Sequence, residues 1–566
     1  MITSHPPISR DVMTWEWSQF EPFYEQLSDY SLTQDNIAPW LAYWSRLQDL
    51  IYERHQRHYV ATTLDTGDKQ AELAYEHFLD ELFPRSQAAD QLQKEKILQS
   101  GVEPEGFEIP LRNMRAQAEL YREVNLPLLS EELKLASEYS KITSVQTIEW
   151  EGQELTIDQV APLLQATDRS QRERVWRLAR QRQLADRAAI NDVWVKFMDL
   201  RRQLAANAGL DDYRAYRWRQ LLRFDYTPDD CVEFRQAIRE VIVPAAMRTY
   251  EQRRKRLGFD TLRPWDLNVD PQNRPPLRPF DGAAELEAKT ASIFQQIDPR
   301  LGAYFESMRK EGMLDLANRK GKAPGAYCTD YTAIRRPFIF MNAVGIHDDV
   351  QTLIHESGHA FHVLETAKLP YHPQLEVAME FAEVASMSME FLAGPYLTTD
   401  KGGFYTPAQA ARARIEHLEF SLQFWPYMAV VDEFQHWVYE NHAAATDPTN
   451  CDAKWGELWD TYMLGVDWSG FEDEKVTGWH RKLHIFEEPF YYVEYGLAQL
   501  GAVQVWHNAQ RDQAVSLAAY LRALSLGGTA TLPQLFETAG ARFAFDTRTV
   551  GEAVALMENT IEELES

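Results

Sequence analysis

Within residues 348–364 the chain reads His355-Glu356-Ser357-Gly358-His359, two imidazoles four positions apart with a carboxylate beside the first. On a helix, residues four apart lie one turn above the other, so both rings can reach a single ion from the same face. Glu356 then sits beside the pair and not between them. That placement suits a base acting on a metal-bound water, not a ligand. The chemistry is that of a zinc hydrolase. A bland origin would need two of the chain's 15 histidines to take this spacing by chance on a segment that is itself amphipathic.

The element that must carry the motif is a helix. Val350, Leu353, Ile354, Phe361 and Leu364 make an apolar stripe at helical spacing. Asp348 with Gln351 reads as a capping box, and Asp349 adds an acid to the first turn. Gly358 costs such a helix roughly 1 kcal/mol against Ala, which is tolerable where a second helix or a substrate approaches the backbone.

A catalytic zinc takes three protein ligands and keeps a fourth position open. A third His ten residues after the first is excluded, because position 365 is Glu. A second helix over residues 374–392 offers Glu376, Glu380, Glu383 and Glu390, and His362, Glu365 and His372 are also in range. Acids at helical spacing normally mark a solvated face. Spacing alone does not choose among them.

Two further stretches bear on the site. Residues 320–330 form a loop by their Gly and Pro content, without the spacing of a phosphate-binding loop, and residues 336–342 read as a short strand. An edge strand beside a metal can pair with an extended peptide through backbone hydrogen bonds, although Phe338 and Phe340 suit a core equally well. Residues 480–496 bring three Tyr and His484 within twelve positions. Tyr hydroxyls and His N–H groups can stabilise an oxyanion, but aromatic clusters more often fill cores.

The run His355-Glu356-Ser357-Gly358-His359-Ala360-Phe361-His362, followed by Glu383-Val384-Ala385-Ser386 and Glu390, resembles the zinc oligopeptidases of the thimet oligopeptidase and oligoendopeptidase F family. The resemblance is strongest over residues 320–499. It implies Glu383 as third ligand of one zinc per chain, and a substrate-binding loop and strand at Gly325, Ala326, Tyr327, Phe338, Ile339 and Phe340. It also implies donors to the substrate carbonyl from His484 and Tyr495, with Tyr492 next. The implied fold is mainly helical, two lobes closing like a clamshell on a deep channel with a small β-sheet near the zinc. The implied substrates are short unstructured peptides cut at internal bonds. In the thimet branch glycines separate the His from the tyrosines at a spacing one residue wider, whereas here Pro489 stands in that loop.

The whole chain agrees with a large helical enzyme. Its 566 residues, 45% hydrophobic and 12% aromatic, are ample for several packed lobes. A net charge of -27 argues against nucleic acid and anionic membrane as partners. Met1 to Pro7 carry no export signal, and Cys231, Cys328 and Cys451 are odd in number and widely spaced, as expected of reduced thiols in a cytoplasm.

The expected organisation is a helical lobe over residues 1–180 and a catalytic region over residues 181–566. The best hairpin signal lies at residues 144–157, and a proline-rich linker-like stretch at residues 263–279. Arg169, Arg172, Arg174 and Arg177, interleaved with acids, read as a solvated helix face. Two other functions fit the motif: a zinc carboxypeptidase, with Arg335 or Arg336 gripping a terminal carboxylate, and a non-catalytic zinc-bound helical module.

Overall fold

The computed structural model describes residue 12 and residues 14–566; Met1 to Pro7, read above for an export signal, lie outside the described residues. Helices dominate. Among the described residues there are five strands, in two sheets, and no helix is long and apolar enough to cross a membrane.

Two large apolar cores stand beside three small ones among the described residues. The first gathers Phe20, Trp40, Trp44, Phe78, Ile97 and Met114; the second, much larger, runs from Leu120 to Ile561. The long helix α1 (Ile37–Leu64) belongs to the first core yet reaches the site. Its Tyr59 ring lies 5.5 Å from that of Tyr327, and its Thr63 hydroxyl is 2.6 Å from the Tyr327 hydroxyl.

The hairpin forms as the alternation predicts. Strands β1 (Thr147–Trp150) and β2 (Gln153–Thr156) pair antiparallel around Glu151 and Gly152, both at positive φ as a tight two-residue turn requires. The proline-rich stretch, by contrast, is not free chain. Trp265 and Asp266 are buried, and Arg172, only 1% exposed, donates to Asp266 at 2.9 Å while Arg169 donates to it at 2.7 Å. The arginine face read as solvated is therefore partly interior, because a buried carboxylate from a distant segment meets it.

Near the site, β3 (Leu314–Ala317) runs parallel and β4 (Tyr327–Tyr331) antiparallel to β5 (Arg336–Ala343), in the order β3-β5-β4. The strand expected at an edge is thus the central one. β5 is paired on both sides and buries Phe338, Ile339 and Phe340, as its continuous apolar run allows. β3 and β4 are the edges, and of the two it is β4 that lines the cavity beside the histidines.

Helix α2 (His347–Thr366) follows at once. The Asp348 and Gln351 box does not close its start. Asp349 does, accepting from the backbone N–H groups of Val344, Gly345 and Ile346 at 2.8, 2.7 and 2.9 Å. Helix α3 (Met379–Ala393) packs across α2, beginning later than the pattern predicted, and helices α4 (Pro407–Glu440) and α5 (Tyr492–Arg511) pack on α3 in turn.

Candidate metal centre and active site

His355 and His359 project from one face of α2, and Glu383 meets them from α3. A single oxygen, Glu383 Oε2, lies 3.3 Å from His355 Nε2 and 3.4 Å from His359 Nε2. Both separations are long for an N–H···O hydrogen bond. They match the edge of a tetrahedron, about 3.3 to 3.4 Å, whose corners lie roughly 2.0 to 2.1 Å from a common centre, the zinc-ligand distance for N and O donors. The donor set, two imidazoles and one carboxylate with all ligand atoms within 4.8 Å of one another, fits a small divalent metal.

Of the other acids and histidines within range, His362 stands outside the cluster of ligand atoms with its Nε2 unpartnered, and the rest have partners of their own. Glu380 accepts from Tyr226 at 2.6 Å beside Arg223; Glu365 accepts from Tyr304 and faces Arg300; His372 pairs with Asp49 at 2.8 Å. Cys231, Asp432 and His436 also cluster, but Arg235 already forms an ion pair with Asp432.

A surrounding set of groups orients the ligands. His355 Nδ1 is 2.7 Å from Glu390 Oε1, and the other Glu390 oxygen is 2.7 Å from His417 Nε2 on α4. Burial works against the Glu390 charge, but the two histidine hydrogen bonds outweigh it and bring the carboxyl to about 2. A proton held on Nδ1 by that carboxylate leaves the Nε2 lone pair of His355 free for a metal. Ser386 donates to Glu383 Oε2 at 2.9 Å, and Tyr491 donates to Oε1. Neither His417 nor Tyr491 was singled out from the sequence. Each acts through a contact between segments far apart in the chain, and no local spacing signals it.

Glu356 is free of the metal ligands' geometry and lines two cavities, of about 480 and 820 Å³, that share Ala326, His355, Glu356 and Tyr495. Burial pushes its carboxyl above the ordinary value, against the pull of the two imidazoles. The smaller cavity also takes in His359, Glu383, Tyr491 and the β4 edge from Tyr327 to Asp330. The larger takes in His484, Tyr492, Phe420 and Phe424. The centre therefore sits where two spaces meet.

The remaining sequence candidates divide. His484 Nε2 is 3.1 Å from the Tyr495 hydroxyl, and burial brings this imidazole down to about 3, so it is neutral. Tyr492 accepts from Lys482 at 2.9 Å and lines the larger cavity only. Ala326 and Tyr327 line cavities, whereas Phe338, Ile339 and Phe340 line neither and support the sheet from within. Gly325 adopts φ +90° and its carbonyl accepts from Asn342 at 2.9 Å, fixing the loop that presents Ala326.

A family model, Peptidase family M3, matches residues 162–552. Among curated proteins the chain is 30% identical to Oligopeptidase PepF of Bacillus subtilis over 159 residues, 27% of this chain and 23% of that one. It is 25% identical to an Oligoendopeptidase F homolog of Lactococcus lactis over 336 residues, 57% of this chain and 52% of that one. The chain thus spans between about a quarter and a half of the length of these curated relatives. Solved structures align more fully. PZ peptidase A with an inhibitor has a TM-score of 0.91 at 26% identity, covering 99% of this chain and 98% of that one, and a putative oligoendopeptidase F has the same TM-score and identity, covering 99% and 97%.

Proposed function

The chain belongs to peptidase family M3, and from that premise we propose that it is a zinc-dependent endopeptidase that hydrolyses internal bonds of short, unstructured peptides. The observation that carries this reading is the convergence of His355 and His359 on one oxygen of Glu383, with Glu356 left unligated at the junction of two cavities.

His355, His359 and Glu383 would hold the zinc, which supplies Lewis acidity enough to make a water nucleophilic near neutral pH. Glu356 accepts the proton of the attacking water and returns it to the leaving amine; its raised carboxyl pKa suits both halves of that task. Tyr495 donates to the carbonyl oxygen as charge develops there. With His484 protonated on Nε2, the imidazole donates to the Tyr495 oxygen and leaves the phenol proton free for substrate. The unpaired edge of β4, with Ala326 and Tyr327, takes the peptide as an added strand, a mode indifferent to side-chain sequence. Phe338, Ile339 and Phe340 hold β5 beneath it.

An internal bond needs room for chain on both sides of the metal, and the paired cavities offer it. A carboxypeptidase would need a free cation for the terminal carboxylate. Arg336 is committed to Glu311 at 2.6 Å; Arg335 lines the smaller cavity and pairs with Asp49 at 3.3 Å but leaves Nη1 unpartnered, so a peptide blocked at both termini is what separates the two readings. A purely structural metal site would have no use for Glu356 beside open space. The cysteines are free, in keeping with a reducing, cytoplasmic setting, and the net charge of -27 speaks against nucleic acid as a partner.

An internally quenched peptide blocked at both termini tests the proposal. It is cut at internal bonds, chelator abolishes the cutting and zinc restores it. Cleavage of free-ended peptides only, one terminal residue at a time, would overturn it.

A further inference from the structure

The two oxygens of Glu383 have different surroundings. Oε2 faces both imidazoles, while Oε1 accepts a hydrogen bond from the Tyr491 hydroxyl. We propose that Tyr491 is a positioning residue that keeps Glu383 a one-oxygen ligand and so preserves the open position of the metal centre. The inference rests on the zinc reading of the site given above.

A carboxylate close to a divalent cation can bind through one oxygen or both, and the second oxygen takes up a coordination position. In a hydrolase that position belongs to water or substrate. Tyr491 opposes the two-oxygen mode because turning Oε1 toward the metal would take from the half-buried phenol its hydrogen-bond acceptor. Among the described residues no other side chain hydrogen-bonds to Oε1. Ser386 reaches Oε2 at 2.9 Å, and its hydroxyl is equally close to the Glu383 carbonyl, so it does not decide which oxygen faces the imidazoles.

The phenol is held firmly enough to impose this. Tyr491 immediately precedes α5, and α5 lies so close to α3 that a Cβ on Gly501 would stand 2.9 Å from Val384 Cγ2, one residue beyond Glu383. Its ring is 5.1 Å from Tyr495 and 5.5 Å from His484. One segment thus carries both the donors for the substrate carbonyl and the constraint on the metal ligand.

The test is the visible spectrum of the cobalt(II)-substituted protein, with zinc affinity measured by chelator competition. The wild type and Tyr495→Phe give the intense bands of four-coordinate cobalt. Tyr491→Phe gives the weaker bands of a higher-coordinate ion, and its zinc affinity shifts by roughly 10- to 100-fold, the range for losing a ligand's hydrogen-bond partner. Tyr491→Leu moves the spectrum the same way, and circular dichroism verifies the fold of each variant. An unchanged spectrum and affinity in both Tyr491 variants would overturn this inference alone. A wild type that takes up neither cobalt nor zinc at His355, His359 and Glu383 would overturn it together with the zinc reading.

Discussion

Gly358 of α2 lies so close to Ser386 of α3 that a Cβ on the glycine would stand 2.5 Å from Ser386 Cα and 2.6 Å from the Ala385 carbonyl oxygen. The contact falls between the two histidines in one helix and three residues after Glu383 in the other. It fixes the distance over which the three ligands converge.

Gly358→Ala therefore pushes the ligand helices apart. The substitution gains about 1 kcal/mol of helix propensity, but overpacking against backbone costs typically about 1–3 kcal/mol, and the backbone of α3 cannot turn aside as a side chain could. Lower stability in urea and zinc affinity reduced at least roughly 10-fold are expected. Wild-type affinity by chelator competition would mean that the helix spacing is set elsewhere.

Glu390 links His355 to His417 through its two oxygens. Glu390→Ala frees the His355 ring and lowers zinc affinity roughly 10- to 100-fold. His417→Ala has the same direction and a smaller size, since Glu390 keeps one of its partners. Equal affinities for wild type and Glu390→Ala would remove this chain from the account of the metal site.

The tyrosines can be separated by kinetics. Tyr495→Phe lowers kcat by roughly 10²- to 10³-fold with little change in KM, the mark of a donor used in the transition state. Tyr492→Phe has a much smaller effect, because Tyr492 lines only the larger cavity, whereas Tyr495 stands at the junction of both. The reverse order would exchange their roles.

What the sequence displayed and what it concealed divide by range. The α2 stripe, the histidine pair and the Glu151-Gly152 hairpin are local patterns, and each formed. The proposed third ligand, Glu383, followed from resemblance, because Glu376, Glu380, Glu383 and Glu390 share one periodicity and only packing separates them. Asp349, not Asp348, caps α2 because the preceding chain folds back over it. The edge role of β4 depends on which strand β3 chooses to pair with. The buried pairing of Arg172 with Asp266 joins residues 94 apart in sequence, where no local reading reaches.

Stability should fall in mild acid. Burial, aided by His417 for His347 and by Arg481 for His480, brings both imidazoles down to about 3. An unfolded imidazole titrates near ~6.5, so below that pH the unfolded chain binds protons that the folded chain refuses. The contribution of these groups is complete above about pH 6.5 and is lost as pH falls toward about 3, at up to about 1.4 kcal/mol per pH unit for each. His480→Gln, at a ring whose Nε2 has no partner, should flatten the dependence of unfolding free energy on pH between about 6 and 4.5. An unaltered slope would show that His480 titrates alike in both states.

Everything in the proposed reaction turns on a proton passing through Glu356 while the metal stays where it is. The direct measurement is zinc content and peptide turnover of Glu356→Gln side by side. Bound zinc at the wild-type level, with kcat reduced by at least roughly 10²-fold, is the predicted result. Turnover near that of wild type in the zinc-loaded variant would contradict it.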